Sequence, residues 1–132
     1  MKEFICTILS GITTTLVYLF GGFDVALSCL VIAIALDYIS GIIKAFYTKQ
    51  LSSKIGFKGL LKKIGILILV MVSVLVDRVA GNTGAIRTLV IYYFVANEGL
   101  SIIENLAATN IPIPATLKRA LKAIKKEGNK KK

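Results

Sequence analysis

The chain has 132 residues, 55% of them hydrophobic, and a formal net charge of +10. A mean hydropathy of +0.76 and an uncharged apolar run at 4–23 argue against a water-soluble helical bundle. Histidine is absent, and the chain shows no phosphate-binding loop, dinucleotide glycine pattern or metal-ligand spacing. The expectation is therefore no enzyme: no catalytic residue, no cofactor and no metal.

The first predicted span covers about 4–22. It is too long for the apolar core of a cleaved signal peptide, and its flank carries one Lys and one Glu. Gly21-Gly22 ends it and Asp24 sits in a short turn, which predicts an antiparallel hairpin with the second span. Thr7, Gly11, Thr14 or Thr15, and Tyr18 recur at helical spacing. This small, weakly polar stripe suits either packing on the second helix or self-association. Cys6 and Cys29 lie in apolar segments and read as inert small hydrophobes.

The second span covers about 25–43. Asp37, Ser40, Gly41 and Lys44 form one polar edge at spacings of three and four. That edge either bonds to a neighbouring helix or lines water. Residues 44–63 follow as a basic connection, where Ser52 or Ser53 can cap a helix. Lys54, Lys58 and Lys62 line one side of it and Phe57, Leu60, Leu61 and Ile64 the other. The pattern fits an amphipathic segment on anionic lipid, each lysine contributing on the order of 1 kcal/mol. Aromatic residues are not interleaved with the charge, so no nucleic-acid partner is expected.

The third span is placed at about 60–77. Its uncharged centre, between Lys63 and Asp77, is short, and snorkelling lysines supply the missing length. A Gly-Asn-Thr-Gly turn follows at 81–84. The fourth span, about 88–111, carries Asn97, Ser101, Glu104 and Asn105 at helical spacing, with Glu98 beside them. An acid at mid-membrane costs about 2.5–3.5 kcal/mol. Protonation, water, or a partner such as Arg87 or a lysine would compensate, unless residues 97–108 lie near the interface. Pro112 and Pro114 stop the helix. The tail at 115–132 then reads as a basic surface helix, with Lys118, Arg119, Lys122, Lys125 and Lys126 opposite Leu117, Ala120, Leu121 and Ile124.

Four spans with both termini in the cytoplasm leave only Arg78 and Arg87 of the 17 basic residues outside. The expected fold is thus all-α, a single multi-pass domain over 1–132 in the cytoplasmic membrane.

Three segments and their order resemble a known family. They are Asp37-Tyr38-Ile39-Ser40-Gly41-Ile42-Ile43-Lys44-Ala45, Leu51-Ser52-Ser53-Lys54-Ile55-Gly56-Phe57-Lys58-Gly59-Leu60, and Asn97-Glu98-Gly99-Leu100-Ser101-Ile102-Ile103-Glu104-Asn105. Pro112-Ile113-Pro114 before a basic tail also fits. Together, from about residue 23 to 124, they resemble the phage holins of Gram-positive systems, a group that includes clostridial toxin-secretion holins. The resemblance implies a non-catalytic protein that assembles with copies of itself in the cytoplasmic membrane and opens lesions. The released cargo would be an endolysin or a toxin. Asp37, Ser40, Lys44, Asn97, Glu98, Ser101, Glu104 and Asn105 would then line a contact or lumen. A small four-helix transporter or ion channel using the buried acids is the alternative, and a non-conducting adaptor with a basic docking tail a third.

Overall fold

The computed structural model describes residues 1–130; Lys131 and Lys132, the end of the predicted basic tail, lie outside the described residues. Five helices follow in order: α1 Lys2–Leu19, α2 Val25–Tyr47, α3 Ser53–Val79, α4 Ala85–Ala107 and α5 Ala115–Lys130. No strand occurs among the described residues. The first four helices are long and apolar enough to cross a membrane.

Helix α4 is the hub, packing against α2, α3 and α5. Leu27 and Leu30 of α2, Ile66 and Val70 of α3 and Ile91 of α4 form the buried apolar cluster, flanked by Phe20, Ile34 and Phe94. Helix α4 carries two acids within its span, yet its small and polar residues let its neighbours approach closely.

The predicted hairpin of the first two spans does not form: α1 touches α3 and not α2, and none of its residues is buried. The cause lies in the turn. Gly21 adopts φ +72° and Gly22 φ +103°, left-handed conformations that swing α1 away. A Cβ on Gly21 would sit 3.1 Å from Cδ and Nε of Arg87, so the guanidinium fills the space a side chain would need. Arg78 also stacks over the Tyr18 ring, 3.8 Å from its centre. The Thr7, Gly11 and Thr15 stripe makes no contact with α2 in this structure. The hydroxyls of Thr7 and Thr15 donate instead to carbonyls of their own helix, Glu3 and Gly11.

Helix α2 is capped by Asp24, whose carboxylate accepts from the Leu27 amide at 3.0 Å. Helix α3 has 27 residues and merges the basic amphipathic segment with the third span, which removes the length problem. Ser52 occupies its N-cap position but its hydroxyl makes no capping bond.

Helix α5 differs from the predicted surface helix. The turn through Pro112 and Pro114 brings it back along α4, so that Leu121 rests on Gly99 and the Lys125 ammonium sits 5.9 Å above the Tyr93 ring. An amphipathic stripe takes the nearest apolar face, and Gly99 supplies a close one. The contact is thin: Leu117 and Ile124 remain 47% and 42% exposed.

Candidate functional site: a buried ion cluster and a clasp

Two polar centres lie at opposite ends of the apolar cluster. The first joins the middle three helices. The Lys63 ammonium of α3 donates to the carboxylates of both Asp37 on α2 and Glu98 on α4. Glu98 is 1% exposed, Asp37 7% and Lys63 8%. Asn105 on α4 completes the ring: its amide donates to Asp37 Oδ1 at 3.2 Å and to Ser40 Oγ at 3.0 Å. Ser40 in turn donates to the Asp37 carbonyl. Two carboxylates facing one ammonium leave a formal charge of −1. In lipid such charges persist only when paired, and among the described residues no buried side-chain nitrogen or oxygen lacks a partner.

A cavity of about 220 Å³ reaches this cluster from the α2–α3 connection, lined by Asp37, Tyr38, Lys62, Lys63, Ser101 and Asn105 on its polar side.

The second centre closes the other end. Arg87 on α4 donates through Nη1 to Asp24 Oδ2 at 2.7 Å and through Nη2 to Oδ1 at 3.1 Å. Its Nε and Nη2 reach the carbonyls of Phe20 and Gly22. One guanidinium thereby clasps the α1–α2 turn to α4. The Arg87 hydrogen bonds hold the Asp24 carboxyl at about 2, below its ordinary 3.8. Beside it, Asp77 of α3 is 3% exposed and accepts from the amides of Ile86 and Arg87 at 3.1 and 2.7 Å. A side chain of one helix thus caps the first turn of the next.

Of the predicted polar face, Asp37, Ser40, Glu98 and Asn105 come together, and Ser101 lines the adjoining cavity. Lys44 and Asn97 are half-buried and outside this network. Glu104 is exposed and shares a cleft with Lys122, Lys125 and Lys126 of α5. The predicted lipid-facing residues Lys54, Lys58, Lys62, Lys118, Arg119, Lys122 and Lys126 are exposed; Lys125 is half-buried on Tyr93. Sequence reasoning placed Lys63 among the flanking surface lysines and gave Asp24 and Asp77 no role. Among the described residues no cluster of metal-ligating side chains occurs.

The model of the bacteriophage holin family matches residues 14–126. An uncharacterized 14.9 kDa protein in the nagH 3′ region of Clostridium perfringens is 45% identical over 112 residues, covering 84% of this chain and 85% of the relative. An uncharacterized protein of Listeria monocytogenes is 43% identical over 104 residues, 79% of this chain and 74% of the relative. A probable holin of Bacillus phage phi105 is 34% identical over 114 residues, 86% of this chain and 84% of the relative. No solved structure matches the chain.

Proposed function

The chain belongs to the bacteriophage holin family, and from that premise we propose that it is a holin: a non-enzymatic, multi-pass protein of the cytoplasmic membrane whose copies assemble and open lesions. The cargo is an endolysin, or a toxin in the manner of secretion holins. Both termini lie in the cytoplasm. The observation that carries this reading is the family match across most of the chain, combined with four helices apolar enough to span.

The packing suggests why assembly is needed. Within one copy, Leu30, Ile66, Val70 and Ile91 separate the ion cluster from the Arg87 clasp, so a lone bundle holds no water path. A lesion must form between copies, or by parting the helices that Lys63 ties together. Helix α1, whose side chains are not buried within the copy, supports a role in contacts between copies. Helix α5 bears on the topology. Docked along α4, its lysines lie level with Tyr93 and Gly99, near the middle of that span. Each lysine there would cost about 2.5–3.5 kcal/mol in hydrocarbon. Once α4 spans the bilayer, α5 swings at Pro112–Pro114 to the anionic inner surface, where its cations are favoured.

Controlled expression with and without an endolysin tests the function. A sudden loss of culture density only in the presence of the enzyme is expected. The buried carboxylates and the adjoining cavity favour a second reading, a proton-coupled transporter or channel. Continued growth with selective movement of one substrate class would establish that reading and overturn the first.

A further inference from the structure

Helix α5 has one apolar stripe and two places to seat it. Leu117, Ala120, Leu121 and Ile124 share one side of the helix, and in the folded chain Leu121 of that stripe rests on Gly99 of α4. Lys118, Arg119, Lys122 and Lys126 are all exposed, and Glu127 is the one acid that follows Glu104. A cationic amphipathic helix of this kind also seats on anionic lipid. One stripe cannot occupy both seats at once.

The seat on α4 is incompatible with α4 spanning a bilayer. The two helices run antiparallel: Leu121 lies at Gly99, Lys125 at Tyr93, and Asn129 shares a cleft with Val90. Tyr93 is about 20 Å along α4 from Ala107, the cytoplasmic end in the four-span topology. A lysine side chain is too short to snorkel that far. A docked α5 would therefore carry Lys125 and Lys126 into hydrocarbon, where each charge disfavours the state roughly 60- to 300-fold. Entry of α4 and docking of α5 exclude one another. Only residues 80–84 join α4 to α3, so a barred α4 holds α3 back as well. If α3 crossed alone, the basic tail would be stranded outside, against the distribution of charge.

We propose that α5 is a latch on the last helical hairpin: docked on α4 it bars entry into hydrocarbon, and an anionic inner-leaflet surface opens it by taking the same apolar stripe. The proposal rests on the four-span reading above and adds a lipid-controlled step to it. A surface shifts the balance only through a difference in affinity between the two states. Docked, α5 turns its stripe toward α4 and can offer only its exposed cations. Released, it engages the surface with cations and stripe together. The half-exposed Leu117 and Ile124 make the docked seat the thinner of the two.

Full-length protein is translated without lipid or detergent and mixed with vesicles of phosphatidylcholine alone or of phosphatidylcholine with phosphatidylglycerol. Entry of the hairpin is read as protection of the Arg78 bond from added trypsin, counted only where breaking the vesicles removes it. The initial rate is expected to be at least about tenfold higher with phosphatidylglycerol. Leu121→Ala loosens the latch and leaves α4 unchanged, so a gain cannot come from a more apolar span. Gly99→Leu crowds the same contact from the other side. Each is expected to raise the rate on phosphatidylcholine alone about fivefold or more and to narrow the difference between the two lipids. Equal parental rates on the two vesicles, or a parental rate for either variant on phosphatidylcholine, would overturn the latch. Flotation separates the two levels: a chain that floats with neither vesicle refutes the membrane reading, whereas one that enters both at the same rate refutes the latch alone.

Discussion

Lys63 and Glu98 meet across the α3–α4 contact, 35 positions apart in sequence, with Glu98 1% exposed. Removing one partner from a buried ion pair costs about 3–5 kcal/mol, because the charge left behind stays desolvated. Lys63→Met strands two carboxylates and is expected to lose at least that much. Adding Asp37→Asn and Glu98→Gln to it should recover most of the loss. Thermal unfolding in detergent, followed by circular dichroism, checks both; an unchanged midpoint for Lys63→Met contradicts the cluster.

Glu98→Gln keeps the side-chain shape and removes the charge. It weakens a hydrogen bond between ionised groups, a contribution of about 1.5–3 kcal/mol, and so lowers the cost of parting α3 from α4. Lysis is expected earlier than in the parent, with the same amount of protein in the membrane fraction. The double change with Glu104→Gln should shift onset little further, since Glu104 is exposed and outside the cluster. Onset of density loss in an endolysin-bearing host decides it, and an unshifted double variant refutes the assignment of either acid.

The Arg87 clasp sets an acid-side dependence. Asp24 is held at about 2 against an ordinary 3.8. A carboxyl lowered on folding contributes stability above its unfolded value and loses it as pH falls through the folded one. The window is therefore pH 4 down to 2. Because the Asp24 side chain is 52% exposed, the contribution is at most about 1 kcal/mol. Asp24→Asn is expected to keep the bond to the Leu27 amide and to lack this dependence. The parent-minus-variant difference in unfolding midpoint should shrink toward zero across that window.

Much of this arrangement was legible in the periodicity. The polar edge of Asp37 and Ser40 and that of Ser101 and Asn105 each follow from helical spacing, and they face one another. Lys63 was misread because hydropathy treats a lysine at the end of an apolar run as its flank. A register was available: Lys63, Ile66, Val70, Ser73 and Asp77 recur at threes and fours and are all buried on one face of α3, a stripe that excludes Lys62. Two features had no local signal. The path of α1 depends on the left-handed Gly21 and Gly22, and the space beside Gly21 is occupied by Arg87, which lies more than 60 positions away. The fold-back of α5 depends on the bare Gly99 surface.

Gly99 also offers a handle on α5. A Cβ there would lie 2.9 Å from Leu121 Cδ2. A single methyl can be absorbed by moving the end of Leu121, but Gly99→Leu overpacks the contact, at a cost of about 1–3 kcal/mol. Tryptic cleavage at Lys118–Lys126 in chain translated without lipid or detergent, where α5 stays docked, should then accelerate roughly 5-fold to over 100-fold, the factor those energies imply when cleavage follows the open population. Cleavage at the parental rate would mean that α5 is not held by this face.

The Arg87–Asp24 clasp carries a consequence for biogenesis. Its two charges are 63 residues apart; at 5–20 residues per second, roughly 3–13 s of translation separate them. By the proposed topology both must be translocated, and Asp24 crosses before its partner has been synthesised. The turn after α1 therefore waits on the far side of the bilayer, untethered, until α4 arrives to fasten it. A nascent chain halted within α3 would carry its first two spans in the membrane with nothing yet to fix how they are arranged.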